Sequence, residues 1–264
     1  MAQRSPLISV MAQAADKAAR NLIRDFNEVE NLQVSRKGTN DFVTAADIRA
    51  EQTLKEELGR ARQGFGFLLE ESGAVKAADG RSRWIVDPLD GTLNFMHSVP
   101  QFAISIGVEQ DGELVAGIVF DPIKDELFWA EKGRGAYLNH RRLRVSARDK
   151  LSASLVAHGR SADESTESRQ RFLAQMDNVL AHTRDLRRMG SAALDLAYVG
   201  AGRLDGYWEE GLKPWDMAAG VVIVREAGGY LTAVDGSPVD LERGSVLAGN
   251  PHLHGQLHKA LAGR

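Results

Sequence analysis

The 264-residue chain contains no cysteine. Disulfides, thiolate metal sites and a cysteine nucleophile are thereby excluded, and the composition fits a reducing cytoplasm. A strong bias of charge is also missing: 33 Lys and Arg stand against 36 Asp and Glu, a formal net charge of −3. Nothing in that balance advertises nucleic acid, the transcription machinery or a membrane surface. Long hydrophobic runs are lacking; Ala218–Val224 is among the longest, far short of the roughly 20 residues of a membrane span. The opening MAQRSPLISVMAQAADKAARNL has no extended apolar stretch of the kind a secretory signal needs. Repeats and low-complexity tracts are absent. The seven histidines suggest no metal set; His252 and His254 are two apart rather than spaced like a helical zinc pair.

What is present is an ordinary globular composition, 43% apolar and 6% aromatic. The length suits one unit, 1–264, with two lobes of about 1–150 and 151–264. Pro6, Leu7, Ile8, Met11, Ala15, Ala18 and Leu22 have helical spacing. A polar extended piece and loop follow, containing Lys37. Thr44-Ala-Ala-Asp47 then opens a helix whose apolar positions include Ile48, Leu54 and Leu58. From Phe102 the pattern turns to strands, with Asp111-Gly112 as a hairpin signal, and predicts a meander of three or four antiparallel strands. Beyond it, strands and helices alternate, including a helix near Glu167–His182 with Leu173, Val179 and Leu180. The fold class is mixed α/β (α+β), built of layered sheets and helices.

The sharpest stretch is WIVDPLDGTLNFMH, where an apolar strand ends on Asp87 and Asp90. Two carboxylates this close repel, so in a shared pocket they protonate or hold a cation. Pro88 biases Asp87 towards an extended backbone, and oxygen-only ligands suit Mg²⁺. Asp-Pro-x-Asp-Gly is equally an ordinary turn sequence. A second apolar strand ends in acids at Leu68-Leu-Glu70-Glu71. Asp216 opens an apolar helix in GLKPWDMAAG, where an aspartate also serves as a cap. Gly91-Thr92 begins another helix whose free N–H groups suit phosphate, and Thr92 is also a plausible cap. Trp84 and Trp215 read as core anchors.

These residues together resemble the inositol monophosphatase family, in its bacterial branch. WIVDPLDGTLNFMH is similar to the family's metal-binding motif, PWDMAAGVVIVREAGG to its second motif, LLEESG to the segment bearing its metal-bridging glutamate, and Thr44-Ala-Ala-Asp47 to its threonine–aspartate helix start. The likeness spans Leu7 to about Leu261, and GRLDGYWEEGLKPWD matches the bacterial pattern. The resemblance implies an α-β-α-β-α sandwich of the inositol monophosphatase and fructose bisphosphatase type, with a second, smaller sheet.

It also implies a site. Glu70, Asp87 and the Leu89 carbonyl would hold one Mg²⁺, Asp87, Asp90 and Asp216 a second, and Glu70 would help with a third. Thr92, Asp47 and Glu70 would be catalytic, orienting the attacking water. The N–H groups of Gly91 and Thr92 would grip the phosphate. Gly190, Ser191, Ala192 and Glu209, with Asp90 and Asp216, would meet the substrate. Ser191, Lys213 and Pro214 depart from the animal pattern, and Arg187–Arg188 is a cationic pair for an anionic group or a partner chain. The implied reaction is hydrolysis of inositol monophosphate to inositol and phosphate, Li⁺-sensitive and carried out by a homodimer. Two alternatives stay open: the same chemistry on fructose 1,6-bisphosphate, histidinol phosphate, a nucleotide phosphate or glycerol 2-phosphate, or a regulatory protein binding RNA or transcription machinery.

Overall fold

Ser5 caps the first helix, α1 (Pro6–Asn27), its hydroxyl accepting the Ile8 N–H at 3.1 Å, and Pro6 takes the first position, where no N–H is missed. The structure is a computed structural model that describes residues 3–28, 34–38, 41–78, 80–160 and 165–263. As the spacing predicts, Ile8, Met11, Ala15, Ala18 and Leu22 are fully buried. The polar segment that follows is not simply a loop: β1 (Val34–Gly38) and β2 (Asp41–Thr44) pair as an antiparallel hairpin. Thr44 and Asp47 then form a reciprocal capping box at the start of α2 (Ala45–Ala61).

The main sheet comprises β3 (Gly66–Leu69), β4 (Gly73–Val75), β5 (Ser82–Asp90), β6 (Ala103–Gln110), β7 (Glu113–Asp121), β8 (Glu126–Glu131), β9 (Gly135–Leu138) and β10 (Arg141–Arg142). Its order is β10-β9-β8-β7-β6-β5-β3-β4. The antiparallel meander is longer than the sequence suggests, running unbroken from β5 to β10. The turn at Asp111-Gly112 has φ of 52° and 78° at its two residues, the mirror-image geometry that suits the strand twist. Between β5 and β6 lies one short helix, α3 (Thr92–Met96).

The second half contributes β11 (Leu155–His158), α4 (Thr166–Leu180), β12 (Asp185–Arg187), α5 (Ala192–Gly200), β13 (Gly206–Glu210), α6 (Pro214–Glu226), β14 (Tyr230–Thr232), β15 (Ser245–Gly249) and α7 (His254–Leu261). Its five strands form a mixed sheet in the order β12-β11-β13-β15-β14.

Three cores fix the layering. One joins α1 and α2 to the outer face of the main sheet; one places α5 and α6 between the two sheets; one packs α4 and α7 on the far face of the small sheet. Strand alternation divides the two faces of β13: Tyr207 faces the central helices, and Trp208 faces the outer pair. The result is the five-layer α-β-α-β-α sandwich. Because α6 is covered on both sides, Met217 through Val224 are all buried and the helix has no polar face. It also lies directly on the main sheet. A Cβ at Gly107 would stand 2.7 Å from the Ala218 Cβ, and one at Gly117 would stand 2.7 Å from the Ala219 Cα.

Some apolar residues leave the core that their spacing suggested. Ile48, Leu173 and Leu180 are 55%, 55% and 53% exposed. Ile48 lies off the α2 stripe of Ala46, Ala50, Leu54 and Leu58, and α4, in an outermost layer, buries only Gln175 and Val179. Trp84 is fully buried as expected, whereas Trp215, at the exposed start of α6, is only half-buried.

Candidate active site

Asp87 and Asp90 are three residues apart, and in a regular strand an odd separation sends side chains to opposite faces. Here β5 bulges. Asp87 pairs with Ser105 and Asp90 with Ala103, so three steps on one strand match two on the other. The extra residue falls at Pro88–Leu89, and Pro88 has no N–H to lose from the ladder. The bulge restores the phase and turns both carboxylates to one side. Asp87 Oδ1 accepts the Leu89 N–H at 2.9 Å, which holds the bend.

Asp216 arrives from the other half of the chain. Pro214 starts α6, and Asp216 Oδ2 accepts the Lys213 N–H at 2.7 Å. The Ser105 hydroxyl, beside Asp87, donates to the Trp215 carbonyl at 3.1 Å and seats the helix start against β6. Carboxylate oxygens of Asp87, Asp90 and Asp216 thus lie within 4.8 Å of one another. Glu70 follows β3, which runs parallel to β5, and its N–H donates to the Val86 carbonyl at 3.3 Å. It hydrogen-bonds to Asp87.

The electrostatics record the crowding. Loss of solvent pushes the Asp87 carboxyl well above its usual range, and the charges of Glu70, Asp90 and Asp216 push it further. Asp216 is raised well above its usual range by burial and then by Asp90. Asp90 rises only to about 6, because burial is opposed by N–H and O–H donors at the start of α5. These are the Ser191 hydroxyl at 2.5 Å and the Ala193 N–H at 2.8 Å, and the helix dipole adds to them. Two carboxylates bond to each other only through a retained proton, so Asp87 and Glu70 share positive charge that a cation would replace. An all-oxygen donor set under mutual repulsion fits a hard divalent cation.

Thr92 and Asp47 also meet. The Thr92 hydroxyl lies 3.1 Å from Asp47 Oδ1 and 3.0 Å from the Leu89 carbonyl. Asp47 Oδ2 serves the capping box, accepting the Thr44 N–H at 2.8 Å and its hydroxyl at 2.5 Å. Capping and contact with Thr92 therefore use different oxygens of one side chain. Burial raises the Asp47 carboxyl, and the Thr44 bonds oppose the rise.

A cleft of about 420 Å³ adjoins the acids, lined among others by Asp90, Gly190, Ser191, Ala192, Glu209 and Asp216. Burial raises Glu209 to about 7, against the pull of a hydrogen bond from the buried Tyr207 hydroxyl. Gly91 takes the left-handed backbone, φ 98°, that turns β5 into α3. Arg187 is occupied by Asp185 at 2.5 Å, whereas Arg188 faces the cleft; the residue sharing it is Arg160, which sequence reasoning passed over. Asp195 was also missed. It is 1% exposed in the cleft wall and raised well above its usual range by burial and by Glu209. An acid inside AALDLAYVG was the available signal. A histidine pair four apart does exist, His254 and His258, but His254 Nε2 sits 3.1 Å from the Thr232 hydroxyl. Lys37 lies in β1, and its side chain falls outside the described residues.

The sandwich and its acid cluster agree with relationships across the whole chain. The model of the inositol monophosphatase family matches residues 3–263. The sequence is 52% identical to an inositol-1-monophosphatase of Mesorhizobium japonicum, over 98% of this chain and 97% of the relative. It is 41% identical to a Nus factor SuhB of Pseudomonas aeruginosa, over 93% and 92%. Among solved structures, an extragenic suppressor protein suhB from Bartonella henselae superposes with a TM-score of 0.94 at 49% identity, over 97% and 98% of the two chains. The chain belongs to the inositol monophosphatase family, a metal-dependent one. Among the described residues, no helix is long and apolar enough to cross a membrane.

Proposed function

We propose that this chain hydrolyses inositol monophosphate to inositol and phosphate, with Mg²⁺ as cofactor and water as nucleophile. One observation carries the reading: three carboxylates from two halves of the chain converge within 4.8 Å, beside the Thr92–Asp47 pair. The inositol-1-monophosphatase name of the 52% identical relative supports the choice of substrate.

Glu70, Asp87, Asp90, Asp216 and the Leu89 carbonyl would hold two or three ions. Bound there, divalent cations lower the pKa of water, neutralise the phosphoryl oxygens and stabilise the departing alkoxide. The rest falls to the protein. The single hydroxyl proton of Thr92 points to Asp47 or to the Leu89 carbonyl, so its lone pairs are left to accept a hydrogen bond from the attacking water and orient it. Asp47 fixes that direction, and Glu70 would take the one proton that the water gives up on attack, a proton then available to the departing alkoxide. The Gly91 and Thr92 N–H groups would hold the phosphate. Glu209, braced by Tyr207, would receive a polyol hydroxyl, and Gly190, Ser191 and Ala192 would line the opposite wall. Li⁺ inhibition, a homodimer and a division into lobes of about 1–150 and 151–264 belong to the same reading.

A second role has its own support, the 41% identity to a Nus factor SuhB. Under it the chain would also bind transcription machinery, independently of turnover.

The test is phosphate release in Mg²⁺ and in chelator, comparing kcat/KM for inositol monophosphate, fructose 1,6-bisphosphate, histidinol phosphate and a nucleotide phosphate. Inositol monophosphate is expected to lead. A higher kcat/KM for another ester moves the assignment to it, and turnover undiminished by chelator removes the metal from the reaction.

A further inference from the structure

Asn94 stands two residues past Thr92, on a helix of only 5 residues. Its side-chain nitrogen donates to three backbone carbonyls: Gln101 at 2.7 Å, Met189 at 2.8 Å and Gly190 at 3.3 Å. A primary amide has two N–H donors, so the two short bonds occupy both. The backbone closes around this knot. A Cβ at Gly91 would stand 3.0 Å from the Gln101 oxygen and 3.3 Å from the Gly190 oxygen. A Cβ at Gly190, where φ is 81°, would stand 2.9 Å from the Asn94 nitrogen. Two glycines therefore let three segments meet on one side chain.

The segment so held is the one that enters the cleft. Met189 and Gly190 lead into Ser191, whose hydroxyl bonds to Asp90 and whose neighbour Ala193 donates to the same oxygen. Met189, Gly190 and Ser191 all line the cleft, as does Glu209.

We propose that Asn94 is a positioning residue for the polyol side of the substrate, pinning the turn at 189–191 to the segment that carries Asp90 and Thr92. The distance between the phosphate end and the hydroxyl end of the cleft is then set in part at this amide. Asn94 itself lines the cleft, but both of its N–H groups are spent on carbonyls, and the proposed role runs through the turn they hold. Ser191 and Ala193 also tie the turn to Asp90, but loosening them disturbs a carboxylate of the acid cluster. Among the described residues, the hydrogen bonds of the Asn94 side chain all go to backbone carbonyls and not to the acid cluster, so its loss separates positioning from ion binding.

The proposal rests on the polyol-phosphatase reading, and its experiment keeps the two apart. Asn94→Asp preserves shape but turns an oxygen towards carbonyl oxygens; Asn94→Ser is the milder companion should the first fail to fold. Each full-length variant is assayed with inositol monophosphate and with p-nitrophenyl phosphate, which has no hydroxyls to position. Asn94→Asp is expected to raise KM for inositol monophosphate roughly ten- to a hundredfold. Its turnover of p-nitrophenyl phosphate and its half-saturating Mg²⁺ should stay within about twofold of the parent. Hydrogen exchange of peptides covering 186–194 should quicken in the variants while the rest of the chain keeps its protection. Equal losses on both substrates, a shift in Mg²⁺ dependence as large as the shift in KM, or unchanged exchange at 186–194 would overturn the proposal. Were the parent inactive on inositol monophosphate, the polyol reading would fall, while the exchange data would still decide whether Asn94 pins the turn.

Discussion

Two clefts open along α6, and the larger is not the one proposed for the chemistry. The larger, about 530 Å³, is lined by the later turns of the helix with Val221, Val222 and Arg225, and by charged residues of the meander. Three of its five acids are answered: Arg83 binds Glu109 at 2.9 Å, Lys132 binds Glu113 at 2.6 Å, and Glu226 accepts the Gly133 and Gly135 N–H groups at 2.9 and 2.7 Å. The smaller cleft lies at the start of the helix. There Asp87, Asp90 and Asp216 have no Lys or Arg ion pair among the described residues; burial holds all three carboxyls high, and for Asp87 and Asp216 the charge of neighbouring acids adds to it. Volume and charge thus give opposite rankings, and unneutralised charge is the one that bears chemistry.

The largest expected break in that contrast is Asp87→Asn. Loss even of a group supporting a metal ligand costs ten- to a hundredfold, so loss of a carboxylate touching every other acid should lower phosphate release more than a hundredfold. The variant should melt no lower than the parent in chelator, because it removes repulsion. Next comes Thr92→Ala, expected to cut kcat roughly a hundredfold or more with little change in KM, since it removes the group we propose to orient the attacking water. Steady-state kinetics read both.

A third measurement sharpens the contrast through pH. Asp90 rises from 3.8 to about 6 and Glu209 from 4.5 to about 7. A folded acid with a raised pKa holds its proton more tightly than the unfolded chain does. Its contribution is full below about pH 4 and is lost as pH climbs through 6 to 7. On the proposed reading, Mg²⁺ would replace the Asp90 proton with fixed charge, while Glu209, outside the ion's ligands, would keep its own titration. The melting-temperature difference between Mg²⁺ and chelator should therefore widen from pH 5 to pH 8, reaching roughly 5–10 °C at a hundredfold excess over Kd. A constant difference would mean that the acids do not hold the ion. The smallest effect belongs to the other cleft: Glu113→Gln breaks an exposed pair and should change stability by less than about 1 kcal/mol, with turnover unchanged.

The parts of the site legible in the sequence were those written within one motif. Asp87, Asp90 and Thr92 fall in one short run, and Asp47 is marked by its capping partner Thr44. Asp216 and Glu70 needed the family resemblance to join them, because nothing local says that β3, β5 and α6 end at one place. The bulge that turns Asp87 and Asp90 to the same face was half visible in Pro88; its phase is a property of pairing with β6. Asn94, Asp195 and Arg160 stayed hidden because each meets a residue far along the chain: Met189 for Asn94, Asp90 for Asp195 and Glu209 for Arg160. In the fold, spacing placed α1 correctly but misjudged Ile48, Leu173 and Leu180, since periodicity shows an apolar face and not whether another layer covers it.

One earlier detail reaches further than its size. Where α6 rests on Gly107 and Gly117, there is no side chain beneath it, and Asp216 lies barely a turn away. Those two bare positions act as the machined seat of a caliper jaw. A single methyl slipped under the helix would work as a shim, opening the gap between Asp216 and its neighbours and favouring a roomier cation such as Ca²⁺ over the proposed Mg²⁺.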